Sequence, residues 1–144
     1  MFSDQDRSFM EMALDEAQLS FNDNEVPVGA IIVKDNEVIG CGRNRVIHTN
    51  NVTSHAEINA IIGASKTLNN YRLNNAKMYV TLEPCHMCAK AIIDARIDEV
   101  IFAAPEPKTG SIISIDNIYE RIKFNHKTSY KYCLLYTSPS PRDA

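Results

Sequence analysis

Two short segments constrain this chain more than any other feature of its sequence. Residues 54–57 carry His55 and Glu57, and a second segment further along carries Cys85 and Cys88 directly after a proline. One imidazole and two thiols make three protein ligands, the number found in catalytic zinc sites that keep a fourth position open. We therefore predict that this His and these two Cys bind Zn²⁺, and that Glu57 transfers protons beside the metal.

The spacing of these residues also restricts the local structure. Residues two apart in a regular helix point to nearly opposite sides, so His55 and Glu57 can share one site only if His55 lies at the helix cap. Thr53 or Ser54 is predicted to cap this helix. Pro84 is predicted to open the next helix, which would place both cysteines in its first turn, where the helix dipole favours thiolates.

Two other kinds of site could use the same thiols. A structural zinc site normally has four protein ligands, and the spare candidates are His86 and Cys41. His86 lies between the two cysteines on the predicted helix, and Cys41 lies inside a predicted strand. A redox Cys-x-x-Cys pair would leave Glu57 without a role. The catalytic metal site therefore remains the favoured interpretation.

Hydrophobic periodicity predicts alternating helices and strands in one α/β domain with a mixed five-stranded sheet and helices on both faces. The predicted strands are 28–33, 37–44, 78–82, 99–104 and 127–132, and a short helix is predicted within 112–119. Ser3 is predicted to cap the first helix. The predicted apolar faces of the three main helices are Phe9, Ala13, Ala17 and Phe21; Ile58, Ile61, Ile62 and Leu68; and Ala89, Ile92, Ile93 and Ala95.

Composition excludes several classes of protein. No signal-peptide pattern opens the chain, and no apolar run approaches the roughly 20 residues that span a bilayer. We therefore expect a cytoplasmic protein without a membrane partner, in which thiols stay reduced. The formal net charge of -3 and the pI near 5.8 count mildly against a large phosphate-binding surface.

The last residues resemble an in-frame translation of a transposon adapter used in DNA library preparation, beginning at Cys133. We therefore expect a domain over 1–132 and a non-native tail over 133–144.

Further blocks extend the metal-site pattern and resemble the bacterial tRNA-specific adenosine deaminases of the cytidine-deaminase-like superfamily. The matching blocks run from about Asp6 to about Lys131 and include Glu25-Val-Pro-Val-Gly-Ala30, Gly42-Arg-Asn44, His55-Ala-Glu57, Asn70-Tyr-Arg-Leu73, Tyr79-Val-Thr-Leu-Glu-Pro-Cys85 and Lys108-Thr-Gly110. The zinc motif alone marks the superfamily. The blocks that begin at Glu25 and at Asn70 make the narrower match specific.

This resemblance implies a three-layer α/β/α fold, a homodimer and hydrolytic conversion of the wobble adenosine to inosine in a tRNA anticodon stem-loop. It also implies Zn²⁺ as cofactor and Glu57 as proton shuttle. Glu106 falls where an Asp of the family contacts a neighbouring ribose. A C-terminal helix rich in aromatic and basic residues, which grips RNA in the family, is expected to be missing here. The implied substrate-binding residues are Glu25, Val26, Pro27, Asn44, Ala56, Pro84 and Glu106.

Two alternative functions stay open at this point. A deaminase of a free purine base such as guanine uses a very similar site, and the acidic pI of the chain slightly favours this alternative. A catalytically silent partner subunit that binds RNA is the other alternative. The intact Glu57 argues against a silent subunit, since such a subunit needs no proton shuttle.

Overall fold

Ten helices and strands form within residues 2–133, the part of the chain that the computed structural model describes. In chain order they are α1 (Asp4–Asn22), β1 (Gly29–Lys34), β2 (Glu37–Arg43), α2 (Val46–Thr49), α3 (Ala56–Leu68), β3 (Ala76–Val80), α4 (His86–Asp94), β4 (Glu99–Phe102), α5 (Ile118–Arg121) and β5 (Ser129–Tyr132). No helix among these residues is long and apolar enough to cross a membrane.

The strands form one mixed sheet in the order β2-β1-β3-β4-β5. Asp35 and Asn36 join β1 to β2 with φ angles of 52° and 63°, the left-handed conformation that a tight hairpin turn requires. Strand β3 runs antiparallel to β1, whereas β4 and β5 run parallel to β3. The predicted α/β class with a mixed five-stranded sheet is confirmed.

Helices cover both faces of this sheet. Side chains of α1 pack with one face in a cluster that includes Met10, Ile31 and Tyr79. Side chains of α3 and α4 pack with the other face, where Ile92 and Met78 are fully buried. The predicted buried face of α4, made of Ala89, Ile92, Ile93 and Ala95, is confirmed. The architecture is therefore the expected three-layer α/β/α arrangement.

Helix α1 begins with a complete capping box. The Ser3 hydroxyl accepts from the Asp6 backbone N–H at 3.0 Å, and the Asp6 carboxylate accepts from the Ser3 backbone N–H at 3.1 Å. The predicted cap is confirmed, but the predicted apolar stripe is partly wrong because Phe21 is 45% exposed. The buried face is instead rotated toward Asp6, Met10, Ala13, Ala17 and Ser20.

The predicted apolar face of α3 is partly wrong for a related reason, although Ile61 and Leu68 of that face do pack against the core. Its buried face consists of Ala56, Ala60 and Ala64, while Ile62 is 48% exposed. These small residues lie against the glycines of β2, where a Cβ atom on Gly42 would come within 2.2 Å of the Ala56 carbonyl oxygen. The helix therefore packs closely on the sheet through small side chains, with Ile61 and Leu68 at the border of the core and Ile62 turned outward.

Several predicted boundaries shift. Helix α2 was not predicted, and within 112–119 regular helix begins only at Ile118. The caps of α3 and α4 are His55 and Cys85, so neither Thr53, Ser54 nor Pro84 occupies the predicted position. Of the predicted non-native tail, Cys133 alone falls within the described residues, and residues 134–144 lie outside them.

Candidate metal centre and adjoining cavity

Two helix N-termini bring the predicted metal ligands together. His55 is the N-cap of α3, Cys85 is the N-cap of α4, and Cys88 lies within the first turn of α4. The ligand atoms of these three residues all lie within 4.8 Å of one another. Both cap residues have extended backbone conformations, with ψ angles of 157° and 176°, which turn their side chains out of the helical array.

The distances within this group fit a tetrahedral zinc ion. The His55 Nδ1 atom lies 3.7 Å from Cys85 Sγ and 3.5 Å from Cys88 Sγ. Zinc–nitrogen and zinc–sulfur bonds of ordinary length at tetrahedral angles place such atoms about 3.6 Å apart. The donor set also fits zinc chemically, since imidazole and thiolate are ligands that this metal prefers.

Cys85 and Cys88 form a hydrogen-bonded pair that shifts the pKa values of the two thiols in opposite directions. A hydrogen bond from Cys88 lowers the pKa of Cys85 to about 4, although burial opposes this shift. The same hydrogen bond, reinforced by burial, raises the pKa of Cys88. The interaction with Cys85 raises the pKa of His55. A divalent cation bound among these atoms would favour the thiolate form of both cysteines.

The two spare ligands considered for a structural zinc site lie elsewhere. His86 points to Asp116, with Nε2 and Oδ2 separated by 2.9 Å, and Cys41 is exposed on β2. Within residues 2–133, no fourth His, Cys, Asp or Glu joins the three ligands. The geometry therefore matches the three-ligand pattern of a catalytic site.

Glu57 lies beside the ligand group, in the first turn of α3, and is 4% exposed. Burial raises the pKa of this carboxyl to about 7, against smaller opposing effects from a backbone hydrogen bond and His55. Because His55 is the helix cap, both side chains can reach one site despite being two residues apart. The condition that the sequence imposed on His55 is therefore met.

A cavity of about 210 Å³ adjoins the ligand group, and His55, Glu57 and Cys85 form part of its wall. Four of the predicted substrate-binding residues line it, namely Val26, Asn44, Ala56 and Glu106. Sequence reasoning missed four further lining residues, which are Val28, Leu82, Glu83 and Thr109. Each of these lies within or beside a block that carries the family resemblance.

Glu25, Pro27 and Pro84 are not among the lining residues. The Glu25 carboxylate instead accepts from the backbone N–H groups of Ile47 and His48 at 3.0 and 2.8 Å, and contacts His48 Nδ1 at 2.6 Å. Its side chain is 1% exposed. Glu25 therefore anchors the short helix α2, which begins two residues after the cavity residue Asn44.

Asn44 is held on three sides. Its backbone N–H donates to Val28 O at 3.1 Å, its carbonyl accepts from Ser20 Oγ at 2.9 Å, and its Oδ1 accepts from the Val46 N–H at 3.2 Å. Among the described residues 2–133, the amide nitrogen of Asn44 has no hydrogen-bond acceptor. This arrangement fixes the Asn44 side chain at the cavity wall.

Comparison with known proteins extends this picture. The family model for the cytidine and deoxycytidylate deaminase zinc-binding region matches residues 3–104. The tRNA-specific adenosine deaminase of Aquifex aeolicus (strain VF5) is 44% identical over 124 residues, covering 86% of this chain and 82% of the relative. The tRNA-specific adenosine deaminase of Agrobacterium fabrum is 48% identical over 106 residues, covering 74% of this chain and 70% of the relative.

Two solved structures are similar in fold and in sequence. One, from a study of A-to-I editing by tRNA:A34 deaminases at the wobble position of transfer RNA, has a TM-score of 0.84 and 41% identity, covering 88% of this chain and 97% of that one. A guanine deaminase from Bacillus subtilis has a TM-score of 0.68 and 32% identity, covering 91% of this chain and 86% of that one.

Proposed function

The chain belongs to the tRNA-specific adenosine deaminase family of zinc-binding deaminases, and we propose that it converts the wobble adenosine of a tRNA anticodon loop to inosine. The observation that carries the reaction type is the placement of the buried Glu57 carboxylate beside the His55, Cys85 and Cys88 group, at the wall of one cavity. The substrate is proposed from the relatives, because the tRNA-specific adenosine deaminases are 44% and 48% identical to this chain, whereas the guanine deaminase is 32% identical.

The reaction consumes one water and releases ammonia. Zinc, when bound by His55, Cys85 and Cys88, lowers the pKa of water from about 15.7 toward 7 and so makes hydroxide available at neutral pH. The Glu57 carboxylate accepts the proton of the attacking water and delivers it to a ring nitrogen. Glu57 then takes the second proton from the hydroxyl group now attached to the ring carbon and passes it to the amine, which leaves as ammonia while the carbonyl forms. The position of Glu57 beside the ligand group, at the cavity wall, suits a carboxyl that passes protons between water and substrate.

Other residues of the chain bind and orient the base. The amide of Asn44 donates to the flipped base, Val26 and Ala56 form apolar wall, and Glu106 contacts the flanking nucleotide. Glu25 acts on the base indirectly by holding α2 against Asn44. Pro27 and Pro84 shape the backbone beside the wall.

Three broader proposals accompany this activity. Residues 1–132 constitute the deaminase domain, in agreement with the family match over residues 3–104. The chain acts as a homodimer, a proposal supported by large hydrophobic side chains such as Ile47 and Ile62 that lie 68% and 48% exposed. It works in the cytoplasm, where thiols stay reduced and can bind zinc. Sedimentation of the zinc-loaded protein tests the dimer.

Inosine formation on an anticodon stem-loop with a wobble adenosine tests the function. Free guanine and free adenosine serve as parallel substrates, and Glu57→Gln is the matched control because it keeps the shape of the side chain but loses its basic oxygen. We expect turnover on the stem-loop and none with the variant. Deamination of guanine without activity on RNA would replace the proposed substrate while leaving the site chemistry intact.

A further inference from the structure

A single buried carboxylate holds an irregular loop in place at the edge of the cavity. Glu83 follows β3 and is 3% exposed. Its Oε2 atom accepts from three consecutive backbone N–H groups, those of Ile112, Ile113 and Ser114, at 2.9, 2.7 and 3.0 Å. Its Oε1 atom accepts from the Glu106 N–H at 3.1 Å and from the Ser114 hydroxyl. All five donors belong to residues 106–114, hereafter the wall loop.

The wall loop is fitted closely around this carboxylate. A Cβ atom on Gly110 would lie 2.3 Å from Glu83 Cδ, so the loop can pass over the carboxylate only where a side chain is missing. Ser111 adds a second attachment, since its N–H and its hydroxyl each donate to Pro84 O at 3.0 Å. The loop forms no helix or strand of its own. Glu83 and Pro84 therefore accept the hydrogen bonds that attach the loop beside the sheet, and the fully buried Ile112 adds an apolar anchor in the core.

The wall loop supplies part of the cavity wall but none of the reacting groups. Glu106 and Thr109 line the cavity from this loop. Glu57 and the ligands His55 and Cys85 line it from the N-termini of α3 and α4. A displacement of the loop therefore alters the surface that meets the substrate while leaving the proton shuttle in place.

We infer that Glu83 is a positioning residue that fixes the wall loop against the substrate. This inference rests on the proposed function, because it assigns the loop to the binding of that substrate. A carboxylate is needed here because five donors converge on the side chain, and in an ionised carboxylate both oxygens accept hydrogen bonds. A side-chain amide in its place offers only one acceptor oxygen. Its NH2 group would face backbone N–H groups, which are also donors.

Glu83→Gln is the primary test, with steady-state kinetics on the anticodon stem-loop, zinc content and hydrogen exchange of the amides 112–114. We expect KM to rise roughly tenfold, the amides to exchange at least about tenfold faster, and kcat to stay within about threefold of wild type, with stoichiometric zinc. Ser114→Ala removes one of the five donors, is milder for folding, and should raise KM about two- to threefold.

Glu99→Gln is the matched control. Glu99 is a partly buried carboxylate at the opposite end of the same sheet region, 3.9 Å from Lys77, and its change should leave KM and the exchange of 112–114 unaltered. The inference is overturned if Glu83→Gln leaves amide protection and KM unchanged, or if kcat and zinc content fall together at constant KM. Inactivity of the wild-type chain on the stem-loop would instead overturn the proposed function, and the amide exchange would still decide whether Glu83 holds the loop.

Discussion

Replacing Gly42 by Ala should displace α3 and, with it, two side chains of the site. A Cβ atom on Gly42 would lie 2.2 Å from the carbonyl oxygen of Ala56 and 2.4 Å from the backbone nitrogen of Ala60. Contacts between such atoms are ordinarily about 3.5 Å, so α3 has to retreat by roughly 1 Å. Both obstacles are backbone atoms of a helix and cannot rotate away.

The magnitude follows from this geometry. Overpacking costs about 1–3 kcal/mol, and the backbone obstacles place Gly42→Ala near the upper end of that range. For a domain of this size, about 3 kcal/mol lowers Tm by roughly 10 °C. Helix α3 begins at its N-cap His55 and carries Glu57 in its first turn. A shift of about 1 Å in these groups should reduce kcat/KM roughly 100-fold.

Gly63→Ala is the matched control, because it lies on the same helix. The nearest atom to its added Cβ is Cys41 O at 3.7 Å, an ordinary contact. An Ala inside a helix is favoured over Gly by about 0.5–1 kcal/mol, so this variant should be more stable than wild type. Denaturant titration and stem-loop kinetics measure both changes. A Gly42→Ala protein within about 1 kcal/mol of wild type and fully active would refute the reasoning.

Three further predictions concern single side chains. Glu57→Ala should keep stoichiometric zinc while turnover falls at least about 100-fold, as measured by metal analysis and inosine formation; wild-type turnover would show that another group moves the proton. Cys88→Ser should lose zinc and lower Tm together, since a hydroxyl ionises poorly; retained zinc would remove Cys88 from the ligands. Burial raises the pKa of Asp6, but hydrogen bonds from Tyr79 and Ser3 outweigh it and hold this pKa below its ordinary value. The ionised carboxylate therefore stabilises the fold above about pH 4 and loses this effect as pH falls through the folded-state pKa. The Tm difference between wild type and Asp6→Asn should be largest near neutrality and shrink below about pH 4; a difference independent of pH would contradict this assignment.

Much of the fold was predictable because its signals are local. The Asp35-Asn36 turn, the Ser3 cap and the β-branched strand at β1 depend on residues that are neighbours in sequence. The helix faces were less predictable, since periodicity shows which side chains are apolar but not how closely another backbone approaches. At α3, the glycines of β2 select the Ala56, Ala60 and Ala64 face over the larger isoleucines.

The ligand residues and Glu57 were predictable from type and spacing, together with the condition that His55 lie at a helix cap. The roles of the side chains that support the site were not predictable in this way. Glu83 was part of a recognised block, yet its partners lie in the wall loop, far along the chain. Glu25 was expected to contact the nucleobase of the substrate, whereas in the structure its carboxylate accepts hydrogen bonds from the N–H groups of Ile47 and His48.

By itself, the sequence determined which atoms are available for chemistry: one imidazole, two thiols and one spare carboxylate at spacings that two helix N-termini can present. The tertiary structure decided where the remaining polar groups point. A buried carboxylate must find donors wherever the folded chain provides them, because leaving it unpaired costs several kcal/mol. Those donors come from segments remote in sequence, so the roles of Glu83 and Glu25 exist only once the sheet has brought these segments together.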